Sequence, residues 1–381
     1  MIAALVFAQL CGAIPPEGVV VTEGRGGYGA VIAAYNGSVV VGWQETGPRP
    51  TADEGGPPEW RPHVAYAREV DPSTLSPRAA ARDIARESVF FEHMTGLAAS
   101  ASPTGDGAAI AECQCSGGMG SIRCSSHGFG AFPSLHAASD RGGCSGGVAL
   151  GTAGDDSVLA FTNAAALRFV GSRTGREHTT SDDLTADRMA IARADADRAV
   201  LVWRSGDGTP GHAEVSAMIL DTDARPSSQP VVFTAAPGFV GVPAVAWVDG
   251  AAVVAYARSA AVRSPWQLAL ATWTPGHRHA VAALRTGRAP AVAPSIVATQ
   301  TPGCAVLSWT EGTGHRTLVR AGRVCRGVLD PATVAQVSRA GMEAGESELA
   351  TDGHHVYVVW QEIAAARGRR EELRVARLGC E

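Results

Sequence analysis

Short runs of β-branched and small apolar residues recur along the chain, each entered through a tight turn and most of them tipped by an aromatic. The clearest are Ser38 to Trp43 after Asn36-Gly37, and His354 to Trp360 after Gly353. Asp197 to Trp203, Gly250 to Tyr256 and Gly303 to Trp309 repeat the pattern, with weaker copies at Gly107 to Cys113 and Asp156 to Thr162. The runs are apolar at nearly every position rather than at alternate ones. That is the signature of strands covered on both faces.

Anchors at Trp43, Cys113, Thr162, Trp203, Tyr256, Trp309 and Trp360 are separated by 70, 49, 41, 53, 53 and 51 residues. One four-stranded propeller blade takes about 40–50 residues. Seven such units predict an all-β, seven-bladed β-propeller folded as a single domain over residues 18–381. The fifth unit shows the internal plan best: strands at Pro243 to Val248, Ala252 to Ala257, Leu268 to Trp273 and Ala280 to Leu284, the first two joined by the turn Asp249-Gly250. The seventh unit shows only three strands, the last at Glu372 to Leu378. Val19 to Thr22 is a lone strand near the other end, so its pairing into the last blade is expected to close the ring and remove an open edge.

The long first step predicts an insertion near residues 70–96. Within it Ser76-Pro77 reads as an N-cap and first helical position, and Arg78 to Arg86 as one short helix. A second, Gly- and Ser-rich stretch near 125–147 reads as an irregular loop.

Composition narrows the setting. Charged residues are 18% and apolar ones 45% of the chain, which supports a packed core rather than disorder. A net charge of −5 argues against nucleic acid as a partner. All 32 basic residues are Arg, a compositional bias that denies Arg-over-Lys choices any functional meaning. Residues 1–13 read as an export signal, with the apolar stretch Ile2 to Leu10 followed by small residues and a cut after Ala13. The rival is a lipoprotein signal ending at Cys11, which would put a lipid anchor there. No later stretch is long and apolar enough for a transmembrane helix.

Eight cysteines in an exported chain point to disulfides. Cys113 and Cys124 flank the turn at Gly117 to Gly120, and Cys304 and Cys325 flank that at Gly312 to Gly314. Cys115 and Cys144 form a possible third pair. Cys380 pairs with Cys11 if Cys11 survives processing. The alternative is a metal site built from Cys113, Cys115, Cys124, His127 and His136, though the spacing departs from paired CxxC knuckles. Otherwise no metal or cofactor is expected. Acidic pairs such as Asp195/Asp197, Asp221/Asp223 and Asp182-Asp183 lack the rest of a calcium loop and read as turn residues. His354-His355 reads as a solvated turn. Gly143-Cys144-Ser145-Gly146-Gly147 matches G-x-S-x-G, but it precedes another β repeat instead of a helix, so Ser145 is not read as a nucleophile.

One pattern bears on ligands. Trp-x-Glu recurs as Trp43-Gln44-Glu45, Trp309-Thr310-Glu311 and Trp360-Gln361-Glu362. Arginines follow in the next loops: Arg49, Arg204, Arg263, Arg316 and Arg369. Facing the channel, Glu45, Arg204, Glu311, Arg316 and Glu362 would form a ring able to hold a sugar, a peptide or a cation. The competing reading is blade-to-blade ion pairing, which repetition favours because structural repeats duplicate structural residues.

The repeat resembles the broad group of secreted bacterial β-propellers with a VxVxW second strand. In shape it is similar to sialidases among enzymes. Their S-x-D-x-G-x-x-W boxes are absent here, as is an Arg-Ile-Pro segment, and so are the Trp-Asp dipeptides of WD40 blades. The resemblance therefore implies architecture and leaves activity open. Two functional expectations follow. One is an exported binding module for a protein, glycan or cell-envelope component. The other is a diverged carbohydrate-active hydrolase or lyase using Glu45, Glu311 or Glu362 as acid and base. A channel carboxylate pair with one raised pKa favours the enzyme; glutamates tied to arginines favour the binding module.

Overall fold

The computed structural model describes residues 10–22, 26–47, 61–87, 92–102, 104–116, 121–139, 147–163, 166–180, 186–206, 213–234, 238–261, 263–284, 286, 289–363 and 371–380. Seven antiparallel sheets stand in a ring. In blade five the strands are Phe239–Val248, Ala251–Ser259, Gln267–Trp273 and Ala280–Ala283, each pairing with the next. The first strand of every blade is innermost: Tyr28–Tyr35, Glu92–Ala101, Val148–Ala153, Ala186–Arg193, Phe239–Val248, Ala291–Ala298 and Glu343–Thr351. No helix among the described residues is long and apolar enough to cross a membrane.

The core lies between blades rather than within one. Alternate residues of a second strand face opposite neighbours. Ala305, Leu307 and Trp309 pack with blade five, whereas Val306 packs with blade seven. Trp43, Trp203, Tyr256, Trp309 and Trp360 all face the preceding blade, and all are essentially inaccessible to solvent. Cys113 and Thr162 do not share that orientation. In blade two Ala108 and Ile110 face blade one while Cys113 faces blade three, and in blade three the equivalent of the tryptophans is Phe161. A one-residue slip in a strand inverts the face. The weak copies were misaligned by that one residue.

Blade seven carries the closure. Its outer strand is Ala13–Val20 from the opposite end of the chain, pairing with Glu371–Leu378. Cys11 and Cys380 are joined by a disulfide just beyond the Ala13–Leu378 pair. Backbone bonds extend the seam: Cys11 N donates to Thr333 O at 2.9 Å, and Val21 N to Leu373 O at 2.9 Å. Gly18 has φ +61°, and a Cβ there would stand 2.4 Å from Cη2 of Trp360, so only glycine fits against that indole. The bridge requires Cys11 in the folded chain; a cut after Ala13 or acylation of Cys11 would each preclude it.

One expectation along the chain is corrected. The segment read as a helix holds the outer strand of blade one, Arg82–Arg86, and Pro77 forms a bridge with Val70. Only Ile84 of Arg82–Arg86 is buried, so this outermost strand lacks the apolar run that marks inner ones. Residues 92–101 form the first strand of blade two, so the stretch near 70–96 runs from blade one into blade two. In the stretch near 125–147, residues 125–130 and 136–139 belong to the third and fourth strands of blade two, Ser121–Gly130 and His136–Ser139, and 140–146 lie outside the described residues.

Cys113–Cys124 and Cys304–Cys325 are bridged as expected, the latter directly opposite each other across the second and third strands of blade six. Cys115 is also disulfide-bonded. Cys144 and Ser145 lie outside the described residues. Because Cys113, Cys115 and Cys124 are oxidised, they are not thiolate ligands, and no group of three or more metal-ligating side chains gathers among the described residues.

Candidate functional site

The Trp-x-Glu repeat turns out to be scaffold chemistry. A buried indole must place its N–H on an acceptor, and the carboxylate two residues on lies on the same face of the strand. Trp43 Nε1 donates to Glu45 Oε1 at 2.7 Å, Trp360 Nε1 to Glu362 Oε1 at 2.9 Å, and Trp309 Nε1 to Glu311 Oε2 at 3.4 Å. Arginines then neutralise the carboxylates. Glu362 meets Arg339 at 2.7 Å and Arg374 at 3.0 Å, and Glu311 meets Arg320 at 3.0 Å. Arg374 also donates to the carbonyls of Glu17 and Gly18, tying this cluster to the closing strand.

Glu45, Arg204, Glu311, Arg316 and Glu362 are therefore not assembled into a ring around the channel. None of the five lines it. Arg204 donates to Val240 O at 3.1 Å, across the interface between blades four and five, and Arg316 lies exposed in a loop. Of the other loop arginines, Arg263 is exposed, and Arg49 and Arg369 lie outside the described residues. The reason is radial. These residues sit on or beyond second strands, one layer outside the first strands that form the wall.

The channel itself has a volume of about 660 Å³ and is bounded by the first strands of all seven blades. Its wall is mostly alanine, valine, isoleucine and other apolar residues. The charged residues along it, among those described, are Glu348, Asp352 and Arg193. Glu348 follows a bulge in the first strand of blade seven, where the register shifts between Gly345 and Glu348 and Glu346 takes φ +52°. Bulges re-aim side chains. Glu348 Oε2 accepts from the buried Ser295 Oγ at 2.8 Å, and Leu349 N donates to Ser295 Oγ at 3.0 Å.

Glu348 is exposed to the lumen, with the inner strands of the ring packed closely around it. Desolvation pushes its carboxyl up to about 7, opposed by the Ser295 hydrogen bond and helped by the nearby charge of Glu346. Asp352, just past the end of that strand, behaves oppositely. Burial pushes it up, but backbone N–H groups of His355 and His354 and the Tyr357 hydroxyl outweigh that and hold it below its ordinary value. The two are four residues apart along extended chain, roughly 13 Å by strand rise. Nothing in the repeat marked Glu348. Its one signal was three glutamates within Glu343 to Glu348 of a strand otherwise reading as core.

No family model matches this chain, and no curated protein matches it. Solved structures do. A mutant sialidase of Trypanosoma rangeli aligns over 97% of this chain with a TM-score of 0.53 and 10% identity. The β-propeller domain of the trilobed protease of Pyrococcus furiosus, described as having an open velcro topology, aligns over 93% with a TM-score of 0.52 and 7% identity. The chain spans 58% of the sialidase but 94% of the protease propeller. At such identities the likeness is one of shape, and with the ring of sheets closed through Ala13–Val20 it establishes the chain as a seven-bladed β-propeller.

Proposed function

We propose that this propeller is an extracytoplasmic binding module for a glycan, protein or cell-envelope component, and that the channel around Glu348 is its contact surface. The disulfides support an oxidising compartment. Retention of Cys11 would place any leader cleavage on its N-terminal side. The observation that carries the binding reading is the engagement of Glu311 and Glu362 by Arg320, Arg339 and Arg374. Carboxylates held this way spend their oxygens on indole and guanidinium donors of the scaffold.

A diverged glycoside hydrolase is the second reading, and Glu348 is what favours it: a carboxyl held protonated near neutrality is the acid such chemistry needs. Hydrolysis also needs a second carboxylate about 5–10 Å across the scissile bond. The other channel carboxylate, Asp352, is farther away and already occupied by three donors.

Glycan-array binding by the purified chain, beside a panel of chromogenic glycosides, separates the readings. The binding module predicts retention of a glycan or envelope fraction that Glu348→Gln weakens, with no turnover of any glycoside. Turnover abolished by Glu348→Gln would establish the hydrolase instead.

A further inference from the structure

The Trp-x-Glu device is missing in blade four, where Ser205 stands two residues after Trp203 and the indole N–H has no partner among the described residues, and in blade five, where a cavity also opens. In blade five the aromatic is Tyr256, and the position two residues on, which elsewhere supplies the capping glutamate, is Arg258. Tyr256 is fully buried, and its hydroxyl has no hydrogen-bond partner among the described residues. A buried donor left unmatched costs about 1–3 kcal/mol, so such groups call for an explanation.

A cavity of about 450 Å³ opens beside it, between blades four and five. Its wall includes Tyr256, Phe233, Phe239, Val240, Arg258 and Gln267. The aromatic walls are fixed in place. Phe233 packs edge-on against Trp273 and His279, and Phe239 lies 6.5 Å from Trp266. The hydroxyl of Ser259 is already engaged by the carbonyls of Ala261 and Ser264. Arg258 makes no ion pair with a described carboxylate, unlike Arg320, Arg339 and Arg374 in blades six and seven. Its charge reaches the phenol: burial raises the Tyr256 pKa and Arg258 works against that rise.

We infer that this cavity is a binding site for a small aryl carboxylate, whose ring fills the space between Phe233 and Phe239 while its carboxylate takes the Arg258 guanidinium and the Tyr256 hydroxyl. Apolar walls with a few convergent polar groups are the usual make-up of such sites, and the volume falls in the range that holds drug-sized ligands. The carboxylate supplies from outside the acceptor that the chain supplies as Glu45, Glu311 or Glu362 in other blades. This site is separate from the channel and does not depend on its reading.

Isothermal titration of the full chain at pH 7 with 2-naphthylacetate and with 2-naphthylacetamide tests it. The wild type should bind the carboxylate at least about tenfold more tightly than the amide, the margin expected of a charge-assisted contact. Arg258→Gln should bring the two to the same affinity. Tyr256→Phe should weaken the carboxylate about fivefold while leaving the thermal midpoint no lower than wild type, because the hydroxyl it removes has no partner among the described residues. Equal binding of acid and amide by the wild type, no saturable binding of the acid, or unchanged affinity in Arg258→Gln would each overturn the assignment.

Discussion

Replacing Glu362 with glutamine asks whether the recurrent glutamates are scaffold. Glu362 is 1% exposed and accepts from Trp360 Nε1, from Arg339 N and from the Arg339 guanidinium, with Arg374 at 3.0 Å. Glutamine keeps the shape and one acceptor but removes the charge. Arg374, whose side chain is 9% exposed, then retains only Glu372 and the carbonyls of Glu17 and Gly18. Breaking a buried pair costs about 3–5 kcal/mol, and the surviving contacts place this case at the low end, about 3 kcal/mol. Glu311 provides the contrast. Its partner Arg320 is 31% exposed, and its indole bond is longer at 3.4 Å, so Glu311→Gln should cost only about 1 kcal/mol. With an unfolding entropy near 2.1 cal/mol/K per residue, these correspond to drops of about 4 °C and about 1 °C in Tm. Differential scanning calorimetry of both variants reads them directly. Equal Tm values for wild type and Glu362→Gln, together with loss of ligand binding, would refute the structural role and return Glu362 to the candidate site.

Three further outcomes are expected. Loop lengths rank the disulfides: in the chain-entropy estimate Cys11–Cys380, separated by 369 residues, contributes about 6 kcal/mol, against about 3 kcal/mol each for Cys304–Cys325 and Cys113–Cys124. Paired Cys→Ser variants should therefore lose about 7 °C at the seam and about 4 °C at the hairpins, and equal losses would contradict the ranking. Because Glu348 binds its proton more tightly folded than unfolded, stability should fall as pH rises from 4.5 to about 7, and Glu348→Gln should remove that part of the slope in urea titrations. Gly18→Ala should destabilise by about 1–3 kcal/mol through its clash with Trp360, whereas Gly37→Ala, with nothing within 4 Å, should cost less through its φ of +82° alone; the same titrations compare them.

The fold was legible because second strands are buried on both faces, and Val39 to Trp43 or Val356 to Trp360 announce that burial without further context. Outer strands carry no such mark. Arg82–Arg86 buries one residue, so the Ser-Pro signal upstream of it pointed to a helix that long-range pairing with His63–Val70 overrides. Hairpin disulfides were readable from symmetry about a turn, and the seam disulfide from the logic of closure. The site was less legible because a repeat fixes a residue's place along its blade before it fixes its distance from the axis. Glu311 and Glu362 lie one strand too far out to reach the channel. Glu348 and Tyr256 emerge only where the repeat is broken, by a bulge in one case and by Arg258 in place of a glutamate in the other.

Ring closure through the two chain ends underlies every placement above. Proteolysis of the unreduced, alkylated protein followed by mass mapping of linked peptides tests it most directly. The account predicts a fragment joining Cys11 to Cys380, beside Cys113–Cys124 and Cys304–Cys325. Recovery of Cys380 as an alkylated free thiol, or joined to any other cysteine, would contradict it.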